Sequence, residues 1–351
     1  MMIKIDSSYI HDVTSATSAA ELEALINAAV RLEFSTIPPY LTAMLSLIPG
    51  QNREIWNTLH SVVVDEMLHM TIACNLLNAI GGKPEIDSPG FVLQYPSLLP
   101  LSIADGLVVS LKPFSTDLMG QTFMEIEQPE APIDIRRALV ETVETFATIG
   151  EFYQAMIDKI IELGNAIFIV DPTRQVASTR WFPNSRLQAI IDVDSAVESL
   201  RLIMEEGEGT PESPLDPDGD FAHYYRFYEL AKLKRIAADP DAPEGYSFSG
   251  SDISFDADQV YPITIDQRLA DLDVESAAGR RAQQFAFTFT KLLSALQQTF
   301  DGSPHHLDAA MGLMFELKLA GQILVSLPAI TNGSPTGSNA GPTFEYVSVN
   351  R

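Results

Sequence analysis

The chain is poor in three things, and each shortage excludes a class of protein. It has a single cysteine, Cys74, so neither an internal disulfide framework nor a thiolate metal cage can form. Cys74 lies in an apolar helical run rather than a CxxC motif, which suits a core residue in a reducing compartment. Basic residues are scarce: 22 Lys and Arg stand against 47 Asp and Glu, a formal charge of −25, so a phosphate backbone or an anionic membrane would be repelled and nucleic acid is excluded as a partner. Long unbroken apolar runs are also missing. The uncharged run over residues 34–52 is interrupted by Pro38, Pro39, Pro49 and Gly50, and the N-terminal segment has no continuous apolar stretch, so the expectation is a soluble, cytoplasmic protein without export signal or membrane span.

What remains is globular: 351 residues, 46% hydrophobic and 20% charged, long enough for one elaborated domain or two. Helical periodicity dominates. Ser18 and Glu21 have capping-box spacing, and Leu22, Ile26, Ala29, Val30, Ile37, Tyr40 and Met44 follow at helical intervals up to Pro49-Gly50, with Pro38-Pro39 predicting a kink one turn past Glu33. A second helix is predicted from Arg53 to Ile80, stopped by Gly81-Gly82. Residues 83–133 are proline-rich with β-branched runs (FVLQY, LVVSL), which predicts a long crossover carrying short strands. Further helices are expected over 134–163, 192–208, 221–237, 278–300 and 305–327. A mainly α fold follows: a four-helix bundle with a long crossover over 1–238, a connecting loop over 239–262, and a C-terminal helical extension over 263–351 packed on the bundle.

Acids placed on a helical wheel separate solvated carboxylates from inward ones, because a carboxylate on an apolar face costs several kcal/mol unless paired, protonated or metal-bound. Glu33 lies within about 40° of Leu22, Ile26, Ile37, Tyr40 and Met44, and Glu66 within about 40° of Ile55, Leu59, Val62, Met70, Ala73 and Leu77. Glu66 and His69 form an ExxH pair, a carboxylate and an imidazole on adjacent turns able to hold one ion. Near the end of the fourth helix Glu205 and Glu208 stand three residues apart; Glu208 falls within about 20° of Val197, whereas Glu205 lies nearer Arg201. His223, on a face with Phe227 and Leu230, is a late nitrogen candidate. On the third helix Glu144 and Glu151 share a face with Glu141 at its margin, and periodicity does not choose between buried ligands and a solvated side.

The segments LEFSTIPPYLTAMLSL, DEMLHMTIACNLLNAIGG, TIGEFYQAM, EEGEGT, HYYRFYEL and GPTFEY resemble, in order, the ferritin-like proteins grouped with the iminophenyl-pyruvate dimer synthases, the bis-indole-forming enzymes of violacein and rebeccamycin biosynthesis. The resemblance is strongest over residues 20–235. It implies a ferritin-like four-helix bundle and a metal ligand set of Glu33, Glu66, His69, Glu151, Glu205, Glu208 and His223. Where a standard di-iron bundle has a second ExxH, this chain has Glu205-Glu-Gly-Glu208.

The expected function is that of a ferritin-like metalloprotein binding two metal ions, iron first with manganese or zinc as alternatives, and oxidising an amino-acid-derived imine or similar small molecule in secondary metabolism. No separate catalytic acid or base is assignable, and a homo-oligomer is compatible with the sequence. The competing expectations are a metal-binding or storage protein and a metal-free scaffold without catalysis.

Overall fold

The computed structural model describes residues 7–102, 106–129, 132, 148–177, 179–183, 185–210, 213–242 and 244–348. It is mainly helical. Helix α1 (Ser7–Ser15) leads into α2 (Ala19–Ser46) and α3 (Arg53–Ala79), the two longest elements, which pack against each other. The expected capping box at Ser18 is not formed: the Glu21 carboxylate instead accepts the Thr17 N–H. Helix α2 continues through Pro38 and Pro39, which lack the N–H groups that would bond one turn back. The Ser35 carbonyl, the missing partner of residue 39, accepts the Tyr95 hydroxyl at 2.6 Å instead.

The crossover from α3 carries two-residue strands β1 (Ser97–Leu98) and β2 (Val108–Val109), paired antiparallel, whereas FVLQY forms no strand and buries Phe91, Val92 and Leu93 as loop. It then becomes helical, which periodicity does not predict: α4 (Thr116–Leu118), a π turn (Met119–Phe123) and α5 (Met124–Ile126) run on continuously. Of the predicted third helix, α6 (Ile149–Leu163) lies among the described residues; Glu141 and Glu144 lie outside them. Helices α7 (Val193–Glu208) and α8 (His223–Lys232) follow, α6 against α7, and both α7 and α8 against α3. Helix α8 ends earlier than expected, at Leu233 in the left-handed region.

A small pairing of β3 (Ala237–Ala238) with β4 (Tyr246–Ser247) precedes α9 (Ala277–Phe300) and α10 (Leu307–Val325). These two helices pack on each other, α9 touching α3 and α10 touching α2. The Gly/Ser/Asn/Pro-rich C-terminal segment is more ordered than its composition suggests. It forms the hairpin β5 (Pro328–Thr331) and β6 (Ser334–Asn339), and its Phe344 is buried edge-on against Phe285 and Phe289. Burying such an aromatic contributes roughly 1.5–3 kcal/mol, enough to hold an otherwise polar segment down.

The α2–α3 pair is thus covered on two sides, by α6, α7 and α8 on one and by α9 and α10 on the other. No helix among the described residues is long and apolar enough to cross a membrane.

Candidate metal centre

Five donors converge between α2, α3, the end of the crossover helix and α8. Glu33 comes from α2, Glu66 and His69 from α3, Glu127 from the residue after α5, and His223 from the first turn of α8. Their ligand atoms fall into two groups sharing Glu66: Glu33, Glu66 and His69, then Glu66, Glu127 and His223. Within each group the donor atoms lie within 4.8 Å of one another and every residue is buried. Either group could hold a metal ion, and the shared carboxylate stands where it can touch both.

Each carboxylate has one oxygen tied to a hydroxyl. Tyr153 on α6 donates to Glu33 Oε1, Thr36 donates to Glu66 Oε2 at 2.8 Å, and Tyr40 donates to Glu127 Oε1 at 2.5 Å. The other oxygens face the imidazoles: Glu33 Oε2 is 3.6 Å from His69 Nδ1, and Glu66 Oε1 and Glu127 Oε2 are 2.9 and 3.8 Å from His223 Nδ1. Despite the 2.9 Å approach, His223 Nδ1 is left without a hydrogen-bond partner. A buried nitrogen left without a partner beside two carboxylates suits a cation between them.

The opposite ring nitrogens are anchored. His69 Nε2 donates to Glu206 Oε2 at 2.9 Å and His223 Nε2 to Asp65 Oδ2 at 3.3 Å. A neutral imidazole holding its proton on Nε2 leaves the Nδ1 lone pair facing inward, the tautomer a metal requires. One guanidinium links the two anchors: Arg186 donates to Glu206 Oε1 at 2.7 Å and to Asp65 Oδ1 at 2.8 Å. Arg226 adds a bond to Asp65 Oδ2 at 3.0 Å and one to Asp216 at 2.9 Å.

Electrostatics separates these layers. At Asp65 burial opposes ionisation, but His223, Arg226 and Arg186 outweigh it and hold the carboxyl well below its usual range; Glu206 is likewise lowered by His69 and Arg186 against burial. At Glu66 burial and the neighbouring Glu127 dominate and raise the pKa to about 7. Burial disfavours the His69 imidazolium, yet Glu206 and Glu33 push its pKa up to about 10, and His223 is raised by Asp65, Glu127 and Glu66 in the same way. Burial also raises the Tyr40 and Tyr153 hydroxyls, which stay protonated as donors. The metal-free cluster therefore gathers protons to offset three buried carboxylates. Two divalent cations would do so in their place, and the donor set of glutamates and imidazoles fits them.

The sequence-predicted residues divide cleanly. Glu33, Glu66, His69 and His223 are brought together. Glu151 and Glu208 meet elsewhere, at the N-terminus of α6. The Glu151 side chain accepts the Thr148 N–H at 2.9 Å in a capping box, and Glu208 Oε1 accepts the Gly150 N–H at 2.8 Å. A Cβ on Gly150 would fall 2.6 Å from Glu208 Oε2, so glycine is what lets that carboxylate reach the helix end. Both acids thus satisfy open N–H groups and the positive end of the helix dipole. Glu205 lies in a surface groove with Arg201 and Arg186, its pKa raised by burial, and takes no part in either ligand group. The participants not anticipated are Glu127 and the anchors Asp65, Glu206, Arg186 and Arg226.

A helical bundle with carboxylates and histidines from successive helices meeting in its interior is the architecture of the ferritin-like metalloproteins. The Ferritin-like family model matches residues 26–232, more than half of the chain and all five converging donors, and the chain belongs to that family. A solved structure, that of a ferritin like protein from Caulobacter vibrioides, matches with a TM-score of 0.58 and 21% identity over 89% of this chain and 97% of that one, a likeness of fold. No curated protein matches the chain in sequence.

Proposed function

We propose that the chain is a dinuclear metalloenzyme of oxidase type, holding two divalent ions, iron foremost, through Glu33, Glu66, His69, Glu127 and His223. The observation that carries this reading is the hydroxyl bonded to each glutamate. With Tyr153, Thr36 and Tyr40 each bonded to one oxygen, each group presents two carboxylates and one imidazole, fewer protein residues than a closed four-ligand structural site, so positions stay open for small molecules. Bound iron would supply redox chemistry there. The chain's own contribution is to orient the imidazoles through Glu206 and Asp65, fix the carboxylates through the three hydroxyls, and exclude water with the Tyr40, Phe123 and Phe227 rings, whose centroids lie 4.5–5.2 Å apart.

The substrate class rests on the resemblance to the iminophenyl-pyruvate dimer synthases: an amino-acid-derived imine or a similar small molecule of secondary metabolism. The net charge of −25 favours a small-molecule partner over nucleic acid or an anionic membrane. Elemental analysis of the protein after ferrous reconstitution, beside Glu66→Ala, tests the ligand set. Two ions per chain, nearly all lost when the shared carboxylate is removed, are expected. Metal content unchanged in Glu66→Ala would sink the dinuclear site, and no metal in either protein would turn the reading toward a scaffold.

A further inference from the structure

The α2–α3 pair borders a second interior. Glu33, Tyr40, Glu66 and His69 face the acidic cluster, while Leu41, Met44, Val63 and Met67 turn toward α9 and α10 and line an apolar cavity of about 230 Å³. Met311, Met314 and Leu317 of α10 form its opposite wall. An adjoining void of about 60 Å³ shares Leu41, Met67, Met311 and Met314 and extends along Phe34, Ile37 and Phe300.

Two polar groups interrupt this lining, His60 and Lys318, and both lie against Trp56. The His60 ring stacks on the indole at 4.8 Å and the Lys318 ammonium stands 5.0 Å from the indole centroid. Among the described residues Lys318 forms no ion pair and His60 no hydrogen bond, although Lys318 is half-buried beside apolar side chains. Burial and the adjacent Lys318 lower the His60 pKa, which leaves a neutral ring with an N–H to donate. An ammonium without a counter-charge at an apolar cavity favours an anion that brings its own hydrocarbon.

We propose that this cavity is a binding site for a linear acyl carboxylate, the chain lying in the methionine-lined void and the carboxylate meeting Lys318 and His60. An apolar cavity of about 150 Å³ holds a benzene ring, so the larger volume here, with its adjoining void, takes a longer and more flexible chain. Methionines adapt their shape to such a chain at little cost. The surrounding charge of −25 repels anions, so recognition rests on these local contacts and not on the long-range field. The site is independent of the metal cluster, which lies on the other side of the α2–α3 pair.

The two tryptophans of the chain report on it directly, Trp56 beneath His60 and Lys318 and Trp181 in the lining. Titrating the full-length chain with decanoate should change tryptophan emission saturably, with decanol at least roughly tenfold weaker because it lacks the charge-assisted contact. Lys318→Met should weaken decanoate about tenfold and leave decanol unchanged, while Met314→Phe, which narrows the void, should weaken both; circular dichroism establishes that each variant is folded. The absence of a saturable change, equal affinity for decanoate and decanol, butyrate binding as tightly as decanoate, or Lys318→Met without effect would each overturn the proposal.

Discussion

Helices α2 and α3 present opposite chemistry on their two sides. Toward α6, α7 and α8 they bury Glu33, Asp65, Glu66 and His69, and toward α9 and α10 they bury leucine, valine and methionine. The apolar side needs only shape complementarity, and it leaves space. On the acidic side each described carboxylate of the cluster has a named hydroxyl, guanidinium or imidazole beside it, because an unpartnered buried carboxylate costs several kcal/mol. The lesson is that one bundle leaves a void where its lining is apolar, with the half-buried Lys318 at the margin, and builds a complete network where carboxylates are fully buried.

The strongest way to break that contrast is Arg186→Ala. Arg186 is the cation shared by Asp65 and Glu206, which are 6% and 2% exposed, and its removal leaves both anchors under-compensated. A loss of about 3–5 kcal/mol in urea unfolding is expected, against a change within about 0.5 kcal/mol for Lys318→Met on the apolar side. Equal losses in the two variants would remove the distinction between the faces.

Acidity sharpens the same comparison, since only one face titrates strongly. In the metal-free protein the folded pKa of His69 is about 10 against an ordinary 6.5, so its stabilisation is complete below 6.5 and is lost as pH rises toward 10. Glu66, raised from 4.5 to about 7, also holds its proton more tightly when folded, so its ionisation between those values opposes folding increasingly. Asp65 and Glu206, whose pKa values are lowered, act oppositely, and only in the acid range below about 4. Chelator-treated protein should therefore lose stability steadily between pH 6 and 9, and divalent metal should flatten that slope by replacing the protons. A melting temperature that climbs over this range in chelator would contradict the assignment of the cluster.

A finer probe is Tyr153→Phe, which removes the hydroxyl from Glu33 Oε1 and keeps the ring. Metal affinity measured by competition with a chelator should fall about 10–100-fold, the usual cost of deleting a group that orients a ligand. An unchanged affinity would mean that the phenol merely fills space.

How much of this was legible depended on periodicity. Glu33, Glu66 and His69 stand on long helices, and the wheel turns them inward, where they are buried; the bundle is visible for the same reason. Glu127 was invisible because the π turn Met119–Phe123 disrupts the 3.6-residue repeat within a proline-rich segment that composition assigns to loop. Glu206 was within reach. Val197, which shares the face of Glu208, is only half-buried, whereas Ser199 and Ile203 are buried and lie on the face of Glu206. Arg186 carries no local signal at all, since it sits in a loop and acquires its meaning only from two distant carboxylates.

Glu151 shows the remaining ambiguity at its sharpest, because TIGEFY supports two accounts of one acid. As a ligand, its charge would be indispensable to metal binding; as a cap, it needs only an oxygen that accepts the Thr148 N–H, which an amide also provides. Glu151→Gln should therefore leave metal content untouched and destabilise the chain by about 0.5–1 kcal/mol, the value of a carboxylate at the positive end of a helix. Loss of metal in this variant would move Glu151 from the helix terminus into the coordination of the ions, and would require α6 to turn toward the cluster when they bind.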